Sequence, residues 1–180
     1  MVNKELYCKD KEAGLEEVTA HEIAHQWWYG LVGNDEINEA WLDEGLTQYS
    51  TMMYYEKTYG KDAFENKIIE SEQYYETAML NLRDELGDIS EEIDRPAYAF
   101  ENWRLYDVLT YDRAAMMLHT VRETVGEKKF FSSMAYYFEQ NKYKNASQED
   151  FVAAFKAKSG INIMVLLESW LDGKVVQPAA

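Results

Sequence analysis

The chain has 180 residues, a length that suits one domain with a sizeable core, and it carries 33 acidic side chains against 18 basic ones. The resulting net charge of −15 argues against binding to nucleic acid, because such binding depends on Lys and Arg that neutralise phosphates. The sequence has no run of about 18 apolar residues, and its charged start (Lys4, Glu5) is unlike a secretory signal, so we predict a soluble chain without a membrane span and assign no compartment.

The first predicted helix, residues 15–30, contains the pattern H-E-x-x-H. Residues four apart on a helix lie on one face, one turn from each other. His21 and His25 can therefore both point a ring nitrogen at one ion. Glu22 lies beside that face and can reach a water on the ion without being a ligand. The pattern thus predicts a metal site with a general base next to it.

A second predicted helix, residues 38–60, brings a third candidate ligand. Glu44 lies in the sequence W-L-D-E-G, among apolar neighbours and near the start of this helix. A buried carboxylate in such a place needs a partner, for example a metal. A catalytic zinc takes three protein ligands and keeps one open position for water. The sequence thus offers three candidate ligands for one zinc ion: His21, His25 and Glu44.

The later segments are also predicted to be helical, so the expected fold class is mainly α, a helical bundle whose aromatic and Met residues form the core. The predicted helices are residues 61–86 before Gly87, 105–126, 127–141, 148–160 opened by a capping box at Ser147, and a last helix that begins near Asn162 and ends before Gly173.

The predicted helix 105–126 carries two tyrosines, Tyr106 and Tyr111. They are five positions apart, about 140° round an α-helix, so only one of them can face a given site. A tyrosine on such a helix is more often a core residue than a catalyst, and geometry alone does not choose between them. His119, the remaining histidine, is given no chemical role and is expected at the edge of the core or on the surface.

The spacing of these motifs resembles that of the aminopeptidase-N-like family of gluzincin zinc metallopeptidases. H-E-x-x-H, 18 intervening residues and then Glu44 in W-L-x-E-G match the ligand pattern of that family. A Tyr-x-Lys-Gly-Ala segment follows the third ligand there, and Tyr111 with the four residues after it occupies the matching place. Arg113 and Ala114 depart from the usual Lys and Gly. The resemblance implies that the chain is the zinc-binding, helical C-terminal part of a thermolysin-like metallopeptidase catalytic domain.

For the chemistry, the resemblance implies one Zn²⁺ per chain, held by His21, His25 and Glu44, and a peptide substrate. Glu22 would act as the general base, and Tyr111 would donate a hydrogen bond to the developing oxyanion. A zinc-bound histidine usually donates its other ring N–H to a further acceptor. Asp43, next to Glu44, is the candidate acceptor for His25.

The resembled family also has a β-rich part and a Gly-x-Met-Glu-Asn segment upstream, and the Glu of that segment holds the free amino group of the substrate. Residues 1–20 contain no such segment. We therefore expect residues 1–180 to be a single unit that docks to the upstream part of a longer parent protein, which would be an aminopeptidase. Two alternatives stay open: a zinc-binding fragment with little activity alone, and a non-catalytic helical interaction module.

Overall fold

The computed structural model describes residues 12–174, and this part of the chain is built mainly from helices, as predicted. The α-helices are α1 (Glu12–Ala24), α2 (Glu44–Tyr59), α3 (Lys61–Leu86), α4 (Trp103–Asp107), α5 (Ala114–Val125), α6 (Glu127–Asn141), α7 (Gln148–Ser159) and α8 (Met164–Leu171). A π-helical segment, Val108–Arg113, joins α4 to α5, and 3₁₀ turns span Ala40–Leu42 and Ala97–Ala99. Within residues 12–174, no helix is both long enough and apolar enough to cross a bilayer.

Helix α2 lies at the centre of the fold and packs against α1, α3, α5 and the π-helical segment. The ring of Tyr49 on α2 is buried and meets Phe64 of α3 and Phe130 of α6 edge to face. Trp41, in the turn before α2, packs edge-on against Phe151 of α7. Full burial of each large apolar side chain stabilises the fold by about 1.5–3 kcal/mol. These aromatic residues form the core, as the sequence predicts, and they fix α2 in place.

Helix α1 ends at Ala24, earlier than the predicted end at Gly30. The chain turns after Ala24 instead of continuing as a helix. In this turn Tyr29 has a φ of 98°, a conformation that a bulky L-residue rarely adopts. The N–H of Gly30 closes this turn by donating to the carbonyl of His25 over 2.8 Å. The N–H of His25 still donates to the carbonyl of His21, so the two histidines keep their helical spacing.

Helix α2 begins at Glu44, later than the predicted start at residue 38. The carboxylate of Asp43 accepts a hydrogen bond from the N–H of Glu44 over 2.8 Å. This contact satisfies one of the N–H groups that the first turn of a helix leaves unpaired. The helix ends at Gly60, as predicted, where φ is 95°. The cap therefore fixes Glu44 in the first turn of α2.

A short parallel pair of strands, which the sequence analysis did not predict, ties two distant parts of the chain together. Strand β1 (Val32–Gly33) follows the turn after α1, and β2 (Lys144–Asn145) lies between α6 and α7. Two residues are too few to show the alternation of apolar and polar side chains by which a strand is recognised.

The predicted helix 105–126 is continuous, but its pitch changes in the π-helical segment. A π-helix bonds residue i to residue i+5 and so brings residues five apart towards the same face. The expectation that Tyr106 and Tyr111 lie about 140° apart therefore fails, because it assumed an α-helix throughout. Their ring centroids are 6.4 Å apart.

Gly45 allows α2 to approach the π-helical segment closely. A Cβ atom at this position would lie 2.7 Å from the Cβ of Ala114 and 3.4 Å from the carbonyl oxygen of Thr110. The first distance is well inside van der Waals contact, so a larger residue would push the two helices apart. The glycine of W-L-D-E-G thus brings Glu44 towards the helix that carries Tyr111.

Candidate metal centre

Three candidate ligand atoms meet between α1 and α2. Oε2 of Glu44 lies 3.2 Å from Nε2 of His21 and 3.3 Å from Nε2 of His25. All three lie within 4.8 Å of one another. Ligand atoms about 2.0–2.1 Å from a tetrahedral zinc are about 3.3–3.4 Å apart, so the two distances to Glu44 match the edges of such a site. The sequence-predicted ligands are therefore brought together, with Glu44 at a distance from each histidine that suits a shared zinc ion.

The second nitrogen of each histidine faces a polar partner. Nδ1 of His21 lies 3.1 Å from Oε1 of Gln48. Nδ1 of His25 lies 3.2 Å from the carbonyl oxygen of Trp28 and 3.2 Å from Oγ1 of Thr47. Partners of this kind fix the tautomer and the orientation of a metal-bound imidazole. With both Nδ1 atoms engaged, both Nε2 atoms are directed at the site.

Asp43 has a different role from the one expected from the sequence. Its carboxylate accepts from the N–H of Glu44, while Nδ1 of His25 has Trp28 and Thr47 as partners. The physical reason is the start of α2, which needs a cap at this position. Burial, with the neighbouring Glu44 charge adding to it, raises the pKa of Asp43 to about 7.

The charge of Glu44 is strongly stabilised. Burial alone would raise the pKa of its carboxyl group, but hydrogen bonds with His21, His25 and Tyr111 lower it to about 2. Burial likewise opposes a charge on His25, but Glu44 outweighs it and raises the pKa of this ring. Glu44 is thus an anion at neutral pH, as a carboxylate ligand has to be.

Glu22 lies on α1 directly after His21, and its side chain is exposed. The three-residue cluster does not include it. This is the place that H-E-x-x-H gives to a base, next to the metal ligands and open to water.

Tyr111 lies against the cluster. Its ring stacks on His21 with centroids 5.4 Å apart and planes 10° apart. Burial, with a hydrogen bond to Glu44 adding to it, raises the pKa of the Tyr111 phenol. The phenol therefore keeps its proton at neutral pH and can donate it in a hydrogen bond. The ring of Tyr106 packs against the ring of Tyr111.

His119 lies apart from the cluster, as expected. Its Nδ1 is 3.3 Å from the hydroxyl of Tyr49, and its ring meets Phe64 edge to face at 5.4 Å. Burial lowers the pKa of this histidine. It is a residue at the edge of the core.

The sequence analysis missed the partners of the two Nδ1 atoms. Gln48 could have been found, because it follows Glu44 by four residues and so lies on the same face of α2. Thr47, three residues after Glu44, follows the same rule. The carbonyl of Trp28 could not have been found in this way, because every residue has a main-chain carbonyl. The direction of this one depends on the turn at Tyr29.

Residues 1–170 match the family model described as the Peptidase family M1 domain. Aminopeptidase M1 of Arabidopsis thaliana is 27% identical over 157 residues, which cover 87% of this chain and 17% of that protein. Human endoplasmic reticulum aminopeptidase 1 is 29% identical over 141 residues, which cover 76% of this chain and 14% of that protein. The chain thus spans about a sixth of the length of these relatives.

Solved structures share the fold. A mutant M1 zinc metallopeptidase from Deinococcus radiodurans, bound to a Tyr-Ser-Ala substrate, has a TM-score of 0.70 and 23% identity, covering 91% of this chain and 34% of that one. Yeast LTA4 hydrolase has a TM-score of 0.74 and 20% identity, covering 91% of this chain and 27% of that one. The expected helical fold of a metallopeptidase catalytic domain is therefore confirmed. Together with the family match over residues 1–170, it shows that the chain belongs to peptidase family M1.

Proposed function

We propose that this chain forms the zinc-binding part of a peptidase site, and that the intact parent protein is an aminopeptidase. The observation that carries the proposal is the meeting of His21 Nε2, His25 Nε2 and Glu44 Oε2, with Glu44 3.2 and 3.3 Å from the two nitrogens. The aminopeptidases among the relatives support the reaction class. Because the chain spans only a sixth of their length, the exopeptidase activity is proposed for the parent protein.

The donor set itself favours zinc. Two imidazole nitrogens and one carboxylate oxygen are a common set for catalytic zinc, and three protein ligands leave a position open. When bound there, zinc supplies a Lewis acid that polarises the scissile carbonyl and makes a water molecule more acidic.

Glu22 moves the proton. Its exposed carboxylate takes a proton from the attacking water as the water oxygen bonds to the carbonyl carbon. It then delivers that proton to the leaving nitrogen as the C–N bond breaks, which frees the shortened peptide.

Tyr111 stabilises the negative charge that develops on the carbonyl oxygen. Its raised pKa keeps the phenol protonated, so it donates a hydrogen bond. One such donor is worth about 3–4 kcal/mol in the transition state. Stacking on His21 holds the Tyr111 ring beside the candidate ligands.

The test replaces Glu22 by Gln and compares zinc content with turnover. We expect Glu22→Gln to keep one zinc per chain by elemental mass spectrometry and to lose hydrolysis of an aminoacyl-p-nitroanilide, because the amide cannot accept the proton. Glu65→Gln, at an exposed position of α3, is the control and should change neither value.

The other outcomes separate the alternatives. Turnover retained by Glu22→Gln would contradict the assignment of the base. Zinc without turnover in the wild-type chain would indicate a binding fragment that needs the rest of its parent. A wild-type chain without zinc would indicate a helical interaction module.

We also propose that the upstream part of the parent protein packs on an apolar groove of about 700 Å³ between α1 and α2. Ile23 and Trp27 line this groove and are 54% and 48% exposed, unusual values for large apolar side chains so close to the candidate ligands. Hydroxyl-radical footprinting tests the proposal: Trp27 should be oxidised more slowly in the parent protein than in this chain. Tyr98, 81% exposed in the 3₁₀ turn Ala97–Ala99, is the internal reference. Equal oxidation of Trp27 in both proteins would contradict the docking.

A further inference from the structure

The two candidate histidine ligands are held in different ways. His25 is held at Nδ1 by a main-chain oxygen, that of Trp28, with Thr47 beside it. His21 is held at Nδ1 by a side chain, the amide oxygen of Gln48, at 3.1 Å. The orientation of His21 therefore depends on the identity of one residue.

The chemistry of the imidazole sets the direction of that contact. A neutral ring that offers the lone pair of Nε2 to a cation must carry its proton on Nδ1. The amide oxygen of Gln48 is an acceptor, so it binds this tautomer and disfavours the one with the proton on Nε2. A side chain without an acceptor would leave the Nδ1–H in a largely buried place without this partner.

The helical spacing of α2 places Gln48 within hydrogen-bond distance of His21. It follows Glu44 by one turn of α2, so the same helix face presents both a candidate ligand and the partner of another candidate ligand. Gln48 also borders a polar cavity of about 290 Å³ that is lined by Ser71 and Asp112.

We propose that Gln48 is a positioning residue that fixes the tautomer and ring orientation of His21 and thereby sets the zinc affinity of the site. The inference rests on the zinc site proposed above. Loss of a hydrogen-bond partner of a metal-bound histidine costs about 10–100-fold in affinity. Gln48 is thus a side chain through which this site can be tuned without changing a ligand.

The experiment measures zinc dissociation constants by competition with a chromophoric chelator. The variants are Gln48→Leu, which has no acceptor, and Gln48→Glu, which keeps one. We expect Gln48→Leu to weaken zinc binding by about 10–100-fold and Gln48→Glu to stay close to wild type. Gln73→Leu makes the same change at an exposed position of α3 and should leave the constant unchanged.

A spectroscopic readout separates positioning from a general loss of structure. In the zinc-loaded wild-type chain, NMR should show slowly exchanging Nδ1–H protons for both His21 and His25. In Gln48→Leu, the His21 proton should exchange faster, while the His25 proton, held by the Trp28 carbonyl, should not change. Faster exchange at both rings would mean a loosened fold and would overturn the proposal.

Two further outcomes distinguish this inference from the proposed function. If Gln48→Leu binds zinc as tightly as wild type while His21→Ala does not, the zinc site stands and the role of Gln48 is overturned. If wild type and His21→Ala bind zinc equally weakly, the proposed zinc site is overturned and the role of Gln48 with it.

Discussion

Tyr29 stores conformational strain a few residues after α1, the helix that carries the candidate ligand His21. Its φ of 98° is rare for a residue with a bulky side chain, and such a conformation costs about 1–3 kcal/mol. The surrounding hydrogen bonds keep it in place, among them the one from the Tyr29 N–H to the Val32 carbonyl at 2.7 Å. The strained turn also carries the Trp28 carbonyl that lies beside His25.

Replacing Tyr29 by Gly should therefore stabilise the chain. Glycine removes the strain but adds about 0.5–1 kcal/mol of unfolded-state entropy, so we expect a net gain of about 0.5–2 kcal/mol. Thermal unfolding should show a midpoint higher by about 1–8 °C for a chain of this length. The control Tyr98→Gly, 81% exposed and without a positive φ, should lower the midpoint slightly. A lower midpoint for Tyr29→Gly would show that the side chain matters more than the strain.

At this scale, the sequence predicted the pair His21 and His25 because their geometry is local, whereas Glu44 on α2 was predicted from its apolar neighbours and the family spacing. Four residues along a helix bring His21 beside His25, whatever the rest of the chain does. The partner of His25 was predicted incorrectly, because adjacency to Glu44 gives the place of Asp43 but not the direction of its carboxylate. That direction is set by the capping requirement of α2.

Among the secondary-structure elements, the contact between α2 and the π-helical segment positions both Glu44 and Tyr111. Gly45 lies against Ala114, the first residue of α5, directly after this segment. Adding a methyl group there should cost about 1–3 kcal/mol through overpacking. Removing the methyl group of Ala114 should make room for it.

Urea unfolding of four proteins tests this contact: wild type, Gly45→Ala, Ala114→Gly and the double variant. We expect the first substitution to destabilise the chain by about 1–3 kcal/mol and the second by about 1 kcal/mol, because glycine disfavours helix. The double variant should lose less stability than the two single variants together, because the methyl group added at residue 45 fills the space left by the one removed at residue 114. Strict additivity would contradict the close packing.

The elements themselves were predictable where the apolar period is regular and a glycine ends it. The bounds of α3 and the stop at Gly60 follow from such patterns. The π-helical segment does not, because π-helices are rare and no apolar period marks this one, which packs against both α2 and α3. This is why the neighbouring positions of Tyr106 and Tyr111 could not be derived from a count of residues.

For the molecule as a whole, Asp112 makes stability depend on pH. Burial raises the pKa of its carboxyl group to about 7, although a hydrogen bond from Ser71 on α3 opposes this. In the unfolded chain the group ionises near pH 4. Between about pH 4 and pH 7 the folded state therefore holds a proton that the unfolded state has lost, so the stability of the fold decreases as the pH rises through this window.

The variant Asp112→Asn is neutral at every pH and should remove this dependence. We expect its free energy of unfolding to exceed that of wild type increasingly from pH 4 to pH 8, by a few kcal/mol at the end, since each unit of pKa change corresponds to about 1.4 kcal/mol. Urea unfolding across this range, with zinc removed by a chelator, measures it. Asp84→Asn, at an exposed position of α3, should run parallel to wild type. Parallel curves for Asp112→Asn would contradict the prediction.

The mainly α architecture followed from helical periodicity repeated along the chain, so it was predictable at this scale. The pairing of β1 with β2 was not, because it joins residues far apart in sequence and contains too few of them to form a pattern. The apolar groove between α1 and α2 was not predictable either, because a sequence does not show which apolar side chains, such as Ile23 and Trp27, the fold leaves exposed.

The contact between α1 and α2 and the pairing of β1 with β2 join residues at very different separations along the chain, and this affects the order in which they can form. The contact from His21 to Glu44 closes a loop of 23 residues, whereas β1 and β2 are about five times as far apart along the chain. On a logarithmic law of loop closure, the longer loop costs about 1.4 kcal/mol more. Helices α1 and α2 can therefore bring the three candidate ligand atoms together early, before β1 and β2 pair. At the proposed zinc site, an ion bound at that stage would stabilise this first contact during folding.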